Sequence, residues 1–252
     1  IYKMVFICNE KYLSSDYDYI FEKYSFELSD FQKYAIESII LGNHILITAH
    51  TGSGKTLPAE FAIEHFVNNN KKVIYTSPIK ALSNQKFYEF SKKYPDISIG
   101  IMTGDIKFNP EADLLIMTTE ILQNNLYKRL QKEIENKSPL EFNLDIDREL
   151  GCVIFDEVHY INDKDRGKVW EETILMLPRQ VQMVMLSATI DNPERFASWC
   201  EDRYNDDLKT VWLAPSERRV VPLIHYTYLN TVTSLFKQIK DLLDVMKLTD
   251  KA

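Results

Sequence analysis

Short unbroken apolar runs alternate along this chain with longer amphipathic segments, and that rhythm limits the fold more than any other feature. The first run, His44-Ile45-Leu46-Ile47-Thr48-Ala49, precedes helix-forming residues 59–64. Residues 72–76, 97–102 and 113–117 read as strands, and residues 79–94 and 119–130 as helices. Residues 152–155, 170–177, 181–186 and 192–201 continue the series as strand, helix, strand, helix. Strands that are apolar throughout are covered on both faces, so the pattern predicts an α/β fold with a mainly parallel sheet and helices on both sides. In such a sheet ligands sit beyond the carboxyl ends of the strands. Ser29-Asp30 is an N-cap pair for a helix over residues 31–41, and Gly42-Asn43 closes it.

The junction after the first apolar run is chemically specific. Ala49-His50-Thr51-Gly52-Ser53-Gly54-Lys55-Thr56 fits a phosphate-binding loop, with alanine at the often-glycine first position. Gly52 and Gly54 let the backbone wrap closely around an anion. The helix that follows turns its free amides and positive dipole end toward phosphate. Lys55 can reach β and γ phosphates, and the Thr56 hydroxyl can ligate Mg²⁺. Thr51, Gly52, Ser53, Gly54, Lys55 and Thr56 are therefore candidate nucleotide contacts.

About 100 residues later, an apolar strand ends in Asp156-Glu157-Val158-His159. Neighbouring residues of a strand point in opposite directions, but where the strand ends the chain turns and both acids can serve one site. Asp156 would hold Mg²⁺, and Glu157 would orient and deprotonate an attacking water. Ser187-Ala188-Thr189 ends the next strand, where small hydroxyls either bond to those acids or cap the following helix. Three further strand ends, at residues 76–82, 103–105 and 118–120, offer helix N-termini and hydroxyls. Such groups are ligands for sugar–phosphate oxygens and are equally ordinary caps.

Composition bounds how these pieces can be used. The 252 residues are 45% hydrophobic and 27% charged, as in globular domains, and no apolar run approaches the roughly 20 residues of a membrane helix. A net charge of −7 excludes a broadly basic nucleic-acid surface, so strand binding must rely on local geometry. Cys8, Cys152 and Cys200 are widely spaced without CxxC pairing, which points to an intracellular, reducing compartment rather than to a disulfide framework or zinc site. The chain opens on isoleucine and shows no secretory signal, which suggests that the native N-terminus lies upstream. Residues 1–25 read as an aromatic-rich irregular arm, 128–149 as a charged surface insertion, and 216–252 as a strand (222–228) and an amphipathic helix (233–248).

In their order, Phe26…Gln32, the loop of residues 49–56, residues 76–86, 103–105, 118–122, 156–159 and 187–189 resemble the superfamily 2 DExH-box helicases. The wording is nearest the RNA helicase branch that serves the exosome: Thr-Ser-Pro-Ile-Lys-Ala-Leu-Ser-Asn-Gln-Lys at 76–86, Met-Thr-Thr-Glu-Ile-Leu at 117–122, Val-Ile-Phe-Asp-Glu-Val-His-Tyr at 153–160 and Arg-Gly-Lys-Val-Trp-Glu-Glu-Thr at 166–173. The resemblance implies a first RecA-like lobe over residues 26–215, binding ATP with Mg²⁺ and single-stranded RNA or an RNA duplex with an overhang. It implies that Gln32 reads the adenine edge and Phe26 stacks on its face. Pro78, Lys80, Ala81, Thr103, Gly104 and Thr119 would line the RNA path, and His159, Ser187 and Thr189 would couple nucleotide state to lobe movement. Gly52-Ser53 stand where this branch often has serine-alanine. Nothing here resembles the second lobe with its arginine-rich motif, so the chain is expected to carry half of the ATP site and to turn over little ATP alone. A DNA motor of the same superfamily and a nucleotide-binding scaffold are the alternative readings.

Overall fold

The computed structural model describes residues 5–135, 145–188, 190–202 and 210–216. The chain divides into two compact units, residues 1–218 and 219–252. The second unit lies outside the described residues, and with it the expected strand at 222–228 and helix at 233–248.

Nine strands form one sheet among the described residues: β1 (Phe6–Ile7), β2 (His44–Ala49), β3 (Lys72–Ser77), β4 (Ile99–Met102), β5 (Lys107–Phe108), β6 (Leu114–Thr118), β7 (Leu150–Phe155), β8 (Gln182–Ser187) and β9 (Val211–Ser216). Their spatial order is β1-β9-β2-β8-β7-β3-β6-β4-β5, and every pairing is parallel except that of β4 with β5. The helices are α1 (Asp18–Phe21), α2 (Asp30–Ile40), α3 (Thr56–Asn68), α4 (Lys80–Lys93), α5 (Thr119–Glu135), α6 (Gly167–Met176) and α7 (Pro193–Asp202), with a 3-10 turn at Val158–Asn162.

Alternation along the strands sorts the core into two layers. Ile45 and Ile47, Val73 and Tyr75, Cys152 and Ile154 face α2, α3 and α4, packing on Ala35, Ala62 and Phe90. Leu46, Ile74, Val153 and Phe155 face α5, α6 and α7, packing on Leu126, Trp170 and Cys200. Each fully buried aliphatic side chain in these layers contributes about 1.5–3 kcal/mol, which is why the middles of the central strands are apolar and polar residues such as Lys72, Gln182 and Ser187 stand at strand ends. The buried Gln182 amide donates to the Ser38 and Ile39 carbonyls, at 3.4 and 3.3 Å, and to the Asn43 carbonyl. It thereby ties the start of β8 to the end of α2, whose last carbonyls have no helical partner.

Residues 5–30 are more ordered than an irregular arm. Phe6 and Ile7 pair with Trp212 and Leu213 at one sheet edge, while Tyr12, Ile20, Phe21 and Leu28 are buried against Ile36 of α2 and Leu57 of α3. The expected charged insertion at 128–149 is likewise partly helical, since α5 runs on to Glu135. Ile146 is buried, and Arg129 pairs with Asp147 at 2.8 Å. No disulfide joins the three cysteines, all of which are buried. No helix among the described residues is long and apolar enough to cross a membrane.

Candidate active site

Because the central strands are parallel, the ends of β2, β3, β4, β6, β7 and β8 reach the same rim of the sheet. The described residues singled out at strand ends therefore arrive on that rim.

The glycine loop leaves β2 at Ala49. Gly52 and Gly54 have φ of 82° and 85°, a backbone region closed to most side chains. A Cβ on Gly54 would also lie 2.7 Å from Gln32 Nε2. Thr56 opens α3, and Pro58 in its first turn removes one amide that would otherwise lack a helical partner. Thr51 and Gly52 are exposed and Ser53 is half-buried, so the loop offers backbone to solvent, while Lys55 is turned inward.

Lys55 Nζ stands 3.3 Å from both oxygens of Glu157. That contact depends on one backbone torsion. Asp156 continues the alternation of β7 onto the layer under α3 and α4, and its neighbour would continue to the opposite layer. Glu157 instead adopts φ 52° and ψ 47°, a left-handed conformation that costs roughly 1–2 kcal/mol for a side-chain-bearing residue. The turn brings both acids to one place. Asp156 Oδ2 accepts from the Tyr75 hydroxyl at 2.6 Å, and Oδ1 accepts from the Glu157 amide at 3.0 Å. Burial pushes the Asp156 carboxyl above its ordinary value, and the Tyr75 hydrogen bond opposes that shift. His159 Nδ1 lies 3.3 Å from Glu157 Oε2, within ion-pair range but without hydrogen-bond alignment.

Gln32 belongs to this cluster through the loop. Its Nε2 donates to the Gly54 carbonyl at 3.1 Å, and its Oε1 accepts from the Ser29 amide at 2.9 Å. Phe26 stands elsewhere: it is more than half exposed and lines a depression of about 350 Å³ with Phe21, Tyr24, Leu28 and Lys33, but not Gln32. Ser187 lies on β8 beside Thr48, fully buried, and its Oγ has no hydrogen-bond partner among the described residues. Thr189 lies outside the described residues.

A second depression, of about 540 Å³, opens on the same rim. Pro78, Lys80, Ala81, Gly104, Thr118, Glu120 and Arg166 line it. Four of the six residues expected on a strand path thus meet there. Lys80 pairs with Asp105 at 2.5 Å across the groove. Thr103 and Thr119 are buried beside it: the Thr103 amide donates to the Ile106 carbonyl at 2.8 Å, and the Thr119 hydroxyl to the Ser77 carbonyl at 3.5 Å. Arg166, a residue of the 166–173 motif with no expected role of its own, holds the groove together. Its guanidinium donates to the Pro78 carbonyl and to Glu120, and lies over the rings of Tyr160 and Trp170 at 5.9 and 5.7 Å. An arginine placed just before a helix and three residues after an acidic turn residue (Asp163) was the available signal.

Residues 29–196, spanning the glycine loop, the acid pair and the groove, match the DEAD/DEAH box helicase family. The chain belongs to that family. This helicase-family chain is 46% identical over 198 residues to the antiviral helicase SKI2 of Saccharomyces cerevisiae, covering 79% of this chain and 14% of that protein. It is 42% identical over 207 residues to the human exosome RNA helicase MTR4, covering 82% of this chain and 18% of the relative. Among solved structures, the DUF1998 helicase MrfA bound to DNA and AMPPNP superposes with a TM-score of 0.59 at 20% identity, covering 77% of this chain and 27% of that one. The last likeness speaks for the fold: a RecA-like helicase lobe with a mostly parallel sheet. The chain thus spans about a fifth or less of the length of these curated relatives.

The residues of this helicase lobe also suit a divalent cation held mostly by others. No group of three or more His, Cys, Asp or Glu side chains is arranged to bind a metal among the described residues. Asp156 keeps unused lone pairs on both oxygens, and the Thr56 hydroxyl stands at the start of α3. One carboxylate and one hydroxyl, with water and phosphate oxygens completing the shell, is the donor set that Mg²⁺ takes beside a nucleotide.

Proposed function

We propose that this chain is the first motor lobe of an ATP-dependent RNA helicase. It would bind ATP with Mg²⁺ at residues 51–56 and 156–157, hold single-stranded RNA in the groove of Pro78, Lys80, Ala81 and Gly104, and act with a second RecA-like lobe of the same protein. The observation that carries the reading is one rim bearing both sites. The Lys55–Glu157–Asp156 cluster and the groove are joined through β3, whose Tyr75 reaches Asp156 and whose end leads into Pro78. The names of the relatives, which include RNA helicases, favour RNA over DNA as the strand.

In this reading the amides of the glycine loop and the start of α3 take the phosphate oxygens, and Lys55 leaves Glu157 to meet the terminal phosphates. Glu157, released, accepts the proton of an attacking water. Mg²⁺, held through Asp156 and Thr56, would neutralise charge on the transferred phosphoryl group. Glu157 is next but one to His159, so its change of partner reaches the turn that carries Tyr160, against which Arg166 packs. Gln32, hydrogen-bonded to the loop, would contact the adenine edge and Phe26 its face; Ser187 and Thr189 would relay the change toward the second lobe. A lobe of this kind lacks the arginines that the partner lobe contributes, worth roughly 10³- to 10⁵-fold in related NTPases. The wide spacing of the three cysteines in sequence suits an intracellular, reducing location.

The test is ATP turnover by the two-lobed parent protein. Single-stranded RNA should stimulate it, a matched DNA strand should stimulate it less, and Lys55→Ala should abolish it. Stimulation by DNA alone would move the assignment to a DNA motor, and nucleotide binding without turnover would make the lobe a scaffold.

A further inference from the structure

Tyr75 carries a hydroxyl that packing does not explain. It lies on β3 in register with Ile154 of β7, and its fully buried ring meets Phe90 edge-on at 5.3 Å. Phenylalanine would fill that space equally well. Two residues after Ile154, alternation returns the chain to the same layer at Asp156. Strand side chains lean along the strand direction, so the long phenol reaches the strand tip and donates to Asp156 Oδ2 at 2.6 Å. With the Glu157 amide on Oδ1, each carboxylate oxygen is fixed by one donor and keeps lone pairs for other partners. A carboxylate at a strand tip has a nearly free terminal torsion unless both oxygens are tied.

We propose that Tyr75 is the positioning residue for the Asp156 carboxylate: its hydroxyl sets the orientation in which Asp156 receives the divalent cation that accompanies a nucleoside triphosphate. The proposal rests on the nucleotide-site reading above and extends it to a residue of the sheet core. Tyr75 acts through Asp156 and touches neither cation nor nucleotide. Its ring is locked by Phe90, so the orientation is built into the fold before any ligand arrives. Outer partners of this kind typically change metal affinity by about 10- to 100-fold when removed.

The experiment uses the two-lobed parent protein with the Tyr75→Phe substitution and a fluorescent ATP analogue. Affinity is titrated in EDTA and across a Mg²⁺ series, with thermal denaturation alongside. The expected result is unchanged affinity in EDTA and a Mg²⁺ midpoint raised at least about tenfold. In an Asp156→Asn background, Tyr75→Phe should move the midpoint no further, because the partner through which it acts is gone. An unaltered Mg²⁺ midpoint overturns the proposal. So does an equal loss of affinity with and without Mg²⁺, which is the signature of general loosening. An unsubstituted two-lobed protein with no affinity for the analogue overturns the nucleotide reading and this role together, whereas Mg²⁺-dependent binding indifferent to Tyr75→Phe overturns this role alone.

Discussion

Changing Glu157 to glutamine should tighten nucleotide binding while ending hydrolysis. In the structure Lys55 Nζ sits 3.3 Å from each Glu157 oxygen, with the lysine side chain 10% and the glutamate side chain 26% exposed. At that distance and an effective dielectric near 20, the gross attraction is ~5 kcal/mol. Water on the more exposed carboxylate screens it, and partly exposed pairs hold a net ~1 kcal/mol. An arriving triphosphate must take Lys55 from this pair and then lie beside the carboxylate it displaced. Glutamine keeps the shape and removes both the competition and the repulsion. The net gain is then about 1–2 kcal/mol, or roughly 5- to 30-fold in affinity. A fluorescent ATP analogue titrated into the parent and the variant would measure it. The gain should shrink at 1 M salt, where charges more than ~3 Å apart are screened. Equal or weaker binding by the variant would refute the idea that the lysine is shared between carboxylate and phosphate.

Two further outcomes follow from burial and close contact. Gly167→Ala would place a Cβ 2.1 Å from the Ile161 carbonyl oxygen, and neither backbone can yield freely; overpacking of about 1–3 kcal/mol should lower the thermal midpoint, and an unchanged midpoint would mean that α6 does not seat on the 3-10 turn. Asp156→Asn should stabilise the chain at pH 7. Burial raises the folded carboxyl above its unfolded value, so its favourable contribution is complete below about pH 4 and is lost as pH rises through the raised value. Thermal midpoints of parent and variant should therefore diverge from pH 4 to pH 7, and a constant difference would contradict the burial argument.

The sheet and the meeting of the glycine loop with the acid pair were legible because their signals are local. Apolar runs mark the central strands, and a glycine pair at φ near 80° marks the loop. The edges were harder. Phe6–Ile7 is too short to show a period and is held only by pairing with β9. β9 contains Pro215, which argues against a strand in sequence, yet β1 pairs only with Trp212 and Leu213, so Pro215 lacks its amide where that side of β9 has no ladder to join. Residues 131–135, Gln-Lys-Glu-Ile-Glu, look like charged loop, but each is a good or tolerable helix former, and α5 carries through them. At the site, the role of Tyr75 was not legible and that of Arg166 only faintly so, because their meaning lies in partners far along the chain: Asp156 for one, Pro78 and Glu120 for the other.

The strand order also dictates when the nucleotide loop can exist. β2 comes early in the chain, but its two neighbours, β8 and β9, are among the last elements made. β1 waits for Trp212, about 200 residues later, before it has anything to pair with. At roughly 5–20 residues per second, synthesis leaves β1 unpartnered for some 10–40 s and β2 for somewhat less. The glycine loop hangs from β2, an early strand whose two neighbours both come late in the chain. A nascent chain would thus be unable to complete the pairing of the strand that carries the loop until almost the whole lobe has emerged. Such dominance of distant pairings also places the lobe among slow folders.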